Sequence, residues 1–241
     1  MPHMFTDRDR MFDLLDSNPD LRDQFRWETI NAILYKVGGL MFIAGSIMFF
    51  PALEKYADLG AWIFFAGSLL YLLVTGHDLV EVITYRHRLD RPPKIWRQLE
   101  AIAAVTYFTG TILFAIGSVF FLSWVSLFRP GAWCFVIGSL LFVVGAIVNV
   151  LQIVTAKDMT TLQLMNLTAL AFVAGSVLFT VASVPYLWQF ASHQDERMVG
   201  TFLASQYVAG SVLFWLGGIF NYWRAWRAMK RATRRLPGPA T

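Results

Sequence analysis

Cysteine is almost missing from this chain, and charge is scarce. The 241 residues hold one cysteine, Cys134, so no intrachain disulfide can form. Only 15% of residues are charged, against about 25% in an ordinary soluble domain. There are four histidines, and His3, His87 and His193 fall outside the apolar runs. No two histidines therefore stand at one depth to ligate a haem axially. The phosphate-cradling glycine loop, the His-Glu-x-x-His helix and the nucleophile elbow are all absent. These gaps argue against an enzyme and against a bound cofactor. The opening stretch, MPHMFTDRDRMFDLLD, is polar and acidic and has no apolar core of a signal peptide. The first apolar run is expected to act as the insertion signal.

What the chain does have is long apolar runs. A helix of about 20 apolar residues crosses a bilayer, and six such runs can be read, at 29–52, 60–84, 101–123, 132–154, 162–187 and 201–223. Lys and Arg divide unevenly between the two sides these runs define. Sixteen lie in the N-terminal segment, the 85–100 and 155–160 loops and the C-terminal tail, and three on the other side. The positive-inside rule then puts both termini in the cytoplasm. The net charge of +4 reflects topology and does not point to nucleic acid. The basic tail, RAWRAMKRATRRLPGPAT, is expected to continue the last helix and to lie on the anionic inner leaflet. The MFDLLD segment reads as a short helix for an interface or a protein partner.

Six Gly-Ser pairs punctuate the runs: Gly45-Ser46, Gly67-Ser68, Gly117-Ser118, Gly138-Ser139, Gly175-Ser176 and Gly210-Ser211. Within successive pairs the glycines are 22, 21 and 35 residues apart. Glu28, Glu100 and Asp158 stand 17 residues before the first glycine of each pair, and Asp78, Asn149 and Asn221 stand 11 after the second. Glu81, Gln152 and Arg224 follow at 14. Such recurrence marks an internal repeat. The chain divides into a cytoplasmic segment 1–28, two-helix units at 28–86, 87–156 and 157–225, and a tail 226–241. Each unit has two spans, so all three enter the membrane in the same direction. The expected fold is an all-α bundle of six transmembrane helices, pseudo-threefold about the membrane normal. Further small residues lie seven positions away, at Gly38, Gly110, Thr168, Gly145 and Gly217. A spacing of seven keeps them on one helix face, and small residues let membrane helices approach closely. The Gly-Ser pairs are thus expected to form the hairpin seams.

The two-span unit with its AGSxLF-like motifs, and an acid or Asn after the second helix, resembles the YrhK-like membrane domain over about residues 28 to 224. The resemblance implies a small, multi-pass protein of the bacterial inner membrane. It carries over no catalytic residue.

Polar residues within the spans are the candidates for function, because they are costly there. They are Lys36, Asp78, Asn149, Asn166 and Asn221. Lys36 and Asp78 lie at similar depths in one hairpin. They either pair, or Lys36 snorkels to the interface while Asp78 is already wet, or the two relay a proton or ion. Asn166 is expected to be the counterpart of Lys36 in the third unit. Glu28, Glu100 and Asp158 are expected to cap helix starts, with Asn18 and Pro19 opening the first helix, or to meet repeat-end residues such as Arg224. His77, Asp78 and Glu81, with Glu28 nearby, offer donors suited to a metal ion.

Three classes of function follow. The first is a non-enzymatic structural or accessory protein, forming a homo-oligomer or joining a larger membrane complex. The second is a channel or transporter for a small ion, solute or lipid. The third is a membrane enzyme acting on lipid headgroups through His77, Asp78 and Glu81. A polar central path would favour the second, an apolar centre with aromatic outer ridges buried against another chain the first, and a headgroup-sized pocket around His77 the third.

Overall fold

The computed structural model describes residues 21–87, 95–151, 158–188 and 192–235, and all regular structure among them is helical. Six long helices follow one another: α1 (Leu21–Met48), α2 (Ala57–His87), α3 (Ile95–Phe120), α4 (Phe128–Leu151), α5 (Met159–Ser183) and α6 (His193–Arg235). All six are long and apolar enough to cross a membrane. Asn18, Pro19 and the MFDLLD segment lie outside the described residues.

Local chemistry sets the ends of these helices. Pro51 opens the 3-10 turn Pro51–Tyr56 ahead of α2, where its missing N–H costs nothing. Pro185 sits in the 3-10 turn Val184–Leu187 that ends α5. The Asp158 carboxylate caps α5, accepting from Thr161 N at 3.0 Å and Thr161 Oγ1 at 2.7 Å. Helix α6 has 43 residues and is therefore about 65 Å long. It extends into the basic tail as expected. It also takes in the HQDERMVG stretch that precedes the apolar run 201–223.

The helices close into a ring. Each packs against its chain neighbours, and α6 returns to pack against α1. Rings from alternate helices fill the centre. The ring centroids of Phe64 (α2) and Phe135 (α4) are 6.1 Å apart, Phe64 and Tyr207 (α6) 6.2 Å, and Phe135 and Tyr207 6.4 Å. Each ring lies three residues before a Gly-Ser pair. The serines are buried, and five of the six donate to the carbonyl four residues back: Ser46 to Phe42, Ser68 to Phe64, Ser118 to Phe114, Ser139 to Phe135 and Ser176 to Phe172. Ser211 instead meets Ser46 across the α1–α6 contact at 3.3 Å. All six serines are buried between helices.

Close backbone approach explains the glycines, and it also corrects the register of the third unit. A Cβ on Gly38 would lie 3.2 Å from Gly67 O, one on Gly110 2.9 Å from Gly138 O, and one on Gly175 3.0 Å from Gly210 O. Gly175 therefore occupies the place of Gly38 and Gly110, not that of Gly45 and Gly117. The rings agree. Phe42–Tyr71, Phe114–Phe142 and Phe179–Phe214 are equivalent pairs at 4.9, 5.1 and 5.3 Å. Phe49–Phe64, Phe121–Phe135 and Tyr186–Tyr207 form a second set at 5.4, 5.1 and 6.4 Å. Helix α5 is thus shifted by seven residues from the alignment of Gly-Ser pairs, and Ala182-Ser183 stands where Gly45-Ser46 and Gly117-Ser118 stand. Two further assignments change with it. Met165, fully buried, replaces Asp158 as the counterpart of Glu28 and Glu100. Val173 replaces Asn166 as the counterpart of Lys36.

Candidate functional site at the polar end of the bundle

The buried ionisable and amide side chains collect at one end, around the starts of α1 and α3, the ends of α2 and α4, and the basic part of α6. Several are deeply buried in an otherwise apolar chain. Glu81 is 0% exposed, Asn221 3%, Asn149 5%, Asn31 and Glu100 6%, and Arg224 8%. Groups of this kind stay buried only when partners satisfy them.

Unit two gives the clearest arrangement. Asn149 Nδ2 on α4 donates to the Tyr107 hydroxyl on α3 at 2.8 Å. The corresponding positions in unit one are Tyr35 and Asp78. In unit three the tyrosine becomes Phe172, which has no hydroxyl to offer. Asn221 Oδ1 instead accepts from Arg224 Nε at 3.2 Å and Nη2 at 3.0 Å.

Lys36 does not meet Asp78. Its Nζ lies 4.7 Å from the centroid of the Tyr222 ring on α6, a cation–π contact. The reason is helical phase. Tyr35 points to α2, stacking on Tyr71 at 4.3 Å. The next residue is turned by about 100° and so faces α6. Tyr222 is fixed in turn by a 3.3 Å hydrogen bond between its hydroxyl and Thr29 Oγ1.

The three acids read as caps separate. Only Asp158 caps. Glu28 and Glu100 lie inside α1 and α3, well past the helix starts. Asn166 is exposed on the outer face of α5, away from the buried groups.

His77, Asp78 and Glu81 do come together, each with one donor atom within 4.8 Å of the others. Ligands about 2.0 Å from a single ion lie closer, at roughly 3.3 Å from one another, so side chains would have to close around a metal. Glu28 is not part of this cluster. His77 is already held in place. Asn31 Nδ2 lies 3.3 Å from its Nδ1, and the Trp27 ring stacks on it at 5.4 Å. With Nδ1 accepting from Asn31, the ring proton sits on Nε2, which faces Glu81 Oε1 at 3.9 Å.

The sequence reading missed the central aromatic set. Its signal is present: aromatics recur every seven residues at Tyr35, Phe42 and Phe49, at Tyr107, Phe114 and Phe121, and at Phe172, Phe179 and Tyr186. Trp62, Trp133, Trp188 and Trp223 are exposed, and Tyr186 packs on the core.

Comparison with known proteins agrees with the repeat. No curated protein and no solved structure matches the chain. The model of the YrhK-like protein family matches twice, at residues 25–83 and 97–154. These segments are the first two hairpins. The match does not reach the third hairpin, to which the resemblance had been extended; the ring and glycine pairs alone relate it to the others. Residues 25–83 and 97–154 are thus two tandem units of the YrhK-like family.

Proposed function

We propose that the chain is a multi-pass protein of the bacterial inner membrane, with both termini in the cytoplasm. Its three hairpins are parallel units about a pseudo-threefold axis along the membrane normal. It acts as a non-enzymatic structural or accessory component, assembled with copies of itself or within a larger membrane complex. The basic end of α6 lies on the anionic inner leaflet.

One observation carries this reading: Phe64, Phe135 and Tyr207 meet where a conducting path would run. Each comes from the same position of its unit, which supports the pseudo-threefold axis. An aromatic plug suits a protein that works through its outer surface. The excess of Lys and Arg at one end supports the orientation.

The test is reconstitution together with native mass spectrometry in a gentle detergent. The expected result is a defined homo-oligomer or a stoichiometric partner, with no ion or solute flux above protein-free vesicles. Flux through the wild-type protein would support the channel reading instead. A lone monomer without partner would remove the scaffold reading.

A further inference from the structure

The three contacts between neighbouring units ought to be alike, yet one differs. At the α1–α6 contact stand Lys36, Trp215 and Tyr222. The equivalent places at α2–α3 hold Phe108, Leu72 and Leu79, and those at α4–α5 hold Val173, Val143 and Val150. Only the contact between the first and last helices carries a cation within the span.

Among the described residues, no carboxylate neutralises that cation. Its contact is the Tyr222 ring, and no carboxylate or hydrogen-bond acceptor meets the ammonium among the described residues. Lys36 lies ten residues inside the Arg26 end of its span, about 15 Å by helical rise. An ammonium at that depth is costly unless it snorkels to the interface or an anion reaches it. The surroundings indicate which anion. Ile33, Val37 and Leu40 form an exposed apolar strip on α1. Towards the membrane surface, Arg26 is exposed on α1, Trp223 and Trp226 are exposed on α6, and Lys230 Nζ lies over the Trp226 ring at 4.9 Å. An apolar strip flanking a deep cation, with exposed tryptophans and further cations nearer the surface, suits the acyl chains and the anionic headgroup of a phospholipid.

We infer that the α1–α6 groove is a binding site for an anionic phospholipid of the inner leaflet, with Lys36 drawing the phosphate inward over Tyr222. The inference rests on the membrane placement proposed above and adds to it a ligand class and a residue. Basic pockets between helices on the cytoplasmic side are suited to such headgroups.

The experiment uses the full chain in nanodiscs and in detergent. Native mass spectrometry follows binding of phosphatidylglycerol and phosphatidylcholine to wild type, Lys36→Met, Lys36→Arg and, as a control at the opposite end, Lys55→Met. The wild type is expected to prefer phosphatidylglycerol, and Lys36→Met to lose about fivefold in its tightest phosphatidylglycerol site, the worth of one cation near a membrane surface. Lys36→Arg and Lys55→Met should keep the preference. Circular dichroism and melting of each variant separate loss of binding from loss of fold. Inorganic phosphate at millimolar concentration should not displace the lipid; displacement would overturn the lipid assignment and point to a soluble phosphate. Equal binding of both lipids, or an unchanged preference in Lys36→Met, overturns the site while leaving the membrane reading intact. Failure of the protein to float with vesicles removes both.

Discussion

Asn149 donates to the Tyr107 hydroxyl at 2.8 Å, joining α4 to α3. Both groups are buried, so removing one leaves the other without its partner. Asn149→Leu is expected to destabilise by about 1–3 kcal/mol, the usual cost of a stranded buried group. Tyr107→Phe should do likewise, and the double variant should recover part of the loss, with a coupling of about 0.6–1.7 kcal/mol as for hydrogen bonds between membrane helices. A double-mutant cycle by denaturant titration in micelles measures it. Additive losses would show that the bond contributes nothing specific.

The glycine seam gives a graded prediction. A methyl on Gly110 would press on the Phe142 ring at 2.7 Å and on the Gly138 carbonyl at 2.9 Å. The carbonyl belongs to a helix backbone and cannot step aside. Gly110→Ala should therefore lower stability by about 1–3 kcal/mol, as overpacking does. On Gly76 a methyl would meet Phe108 at 3.5 Å, an ordinary contact, so Gly76→Ala should be neutral or slightly stabilising. Equal melting shifts for the two would contradict the packing described.

Phe135 touches Phe64, Phe114, Phe121 and Tyr207. Phe135→Ala opens a cavity at the centre and should cost about 3–5 kcal/mol. Phe135→Leu should cost less, because more of the volume is kept. The measurement is the midpoint of thermal unfolding in a fixed detergent. A midpoint unmoved by Phe135→Ala would mean that the ring is not part of the core.

Asp158 is a cap by geometry, whereas Glu28 and Glu100 are not. Asp158→Ala should cost about 1 kcal/mol, and Asp158→Asn, which keeps an acceptor, should cost much less. Hydrogen exchange at the first turn of α5 reads the difference directly. No change there in Asp158→Ala would rule out the capping role.

Much of this architecture is legible in the sequence. Six helices follow from six apolar runs, and the hairpin seams follow from the Gly-Ser pairs. The register of the third unit does not, and the reason is a near-repeat inside α5. Gly175-Ser176 and Ala182-Ser183 are seven residues apart, so a seven-residue slip keeps the same face and the same small-residue pattern. Glycine marks where backbones approach, and a heptad repeat of small residues fits two alignments equally well. The aromatics break the tie, because a bulky ring has only one pocket per unit. The Lys36 contact was hidden for a different reason. Depth can be counted along one helix, but which neighbour a residue faces depends on how the ring of helices closes.

That closure has a consequence for how the molecule is made. Helices α1 and α6 lie at opposite ends of the chain, yet they are neighbours. Every other contact of the ring can form soon after its second helix leaves the ribosome, whereas this one waits for the whole chain, and contacts between distant segments form late. In the membrane placement proposed above, the Lys36 flank of α1 would face open bilayer during synthesis, and the nascent chain would resemble a horseshoe with a charged tip. An anionic lipid captured at that stage would be enclosed as α6 arrives, a passenger of assembly and not a later visitor.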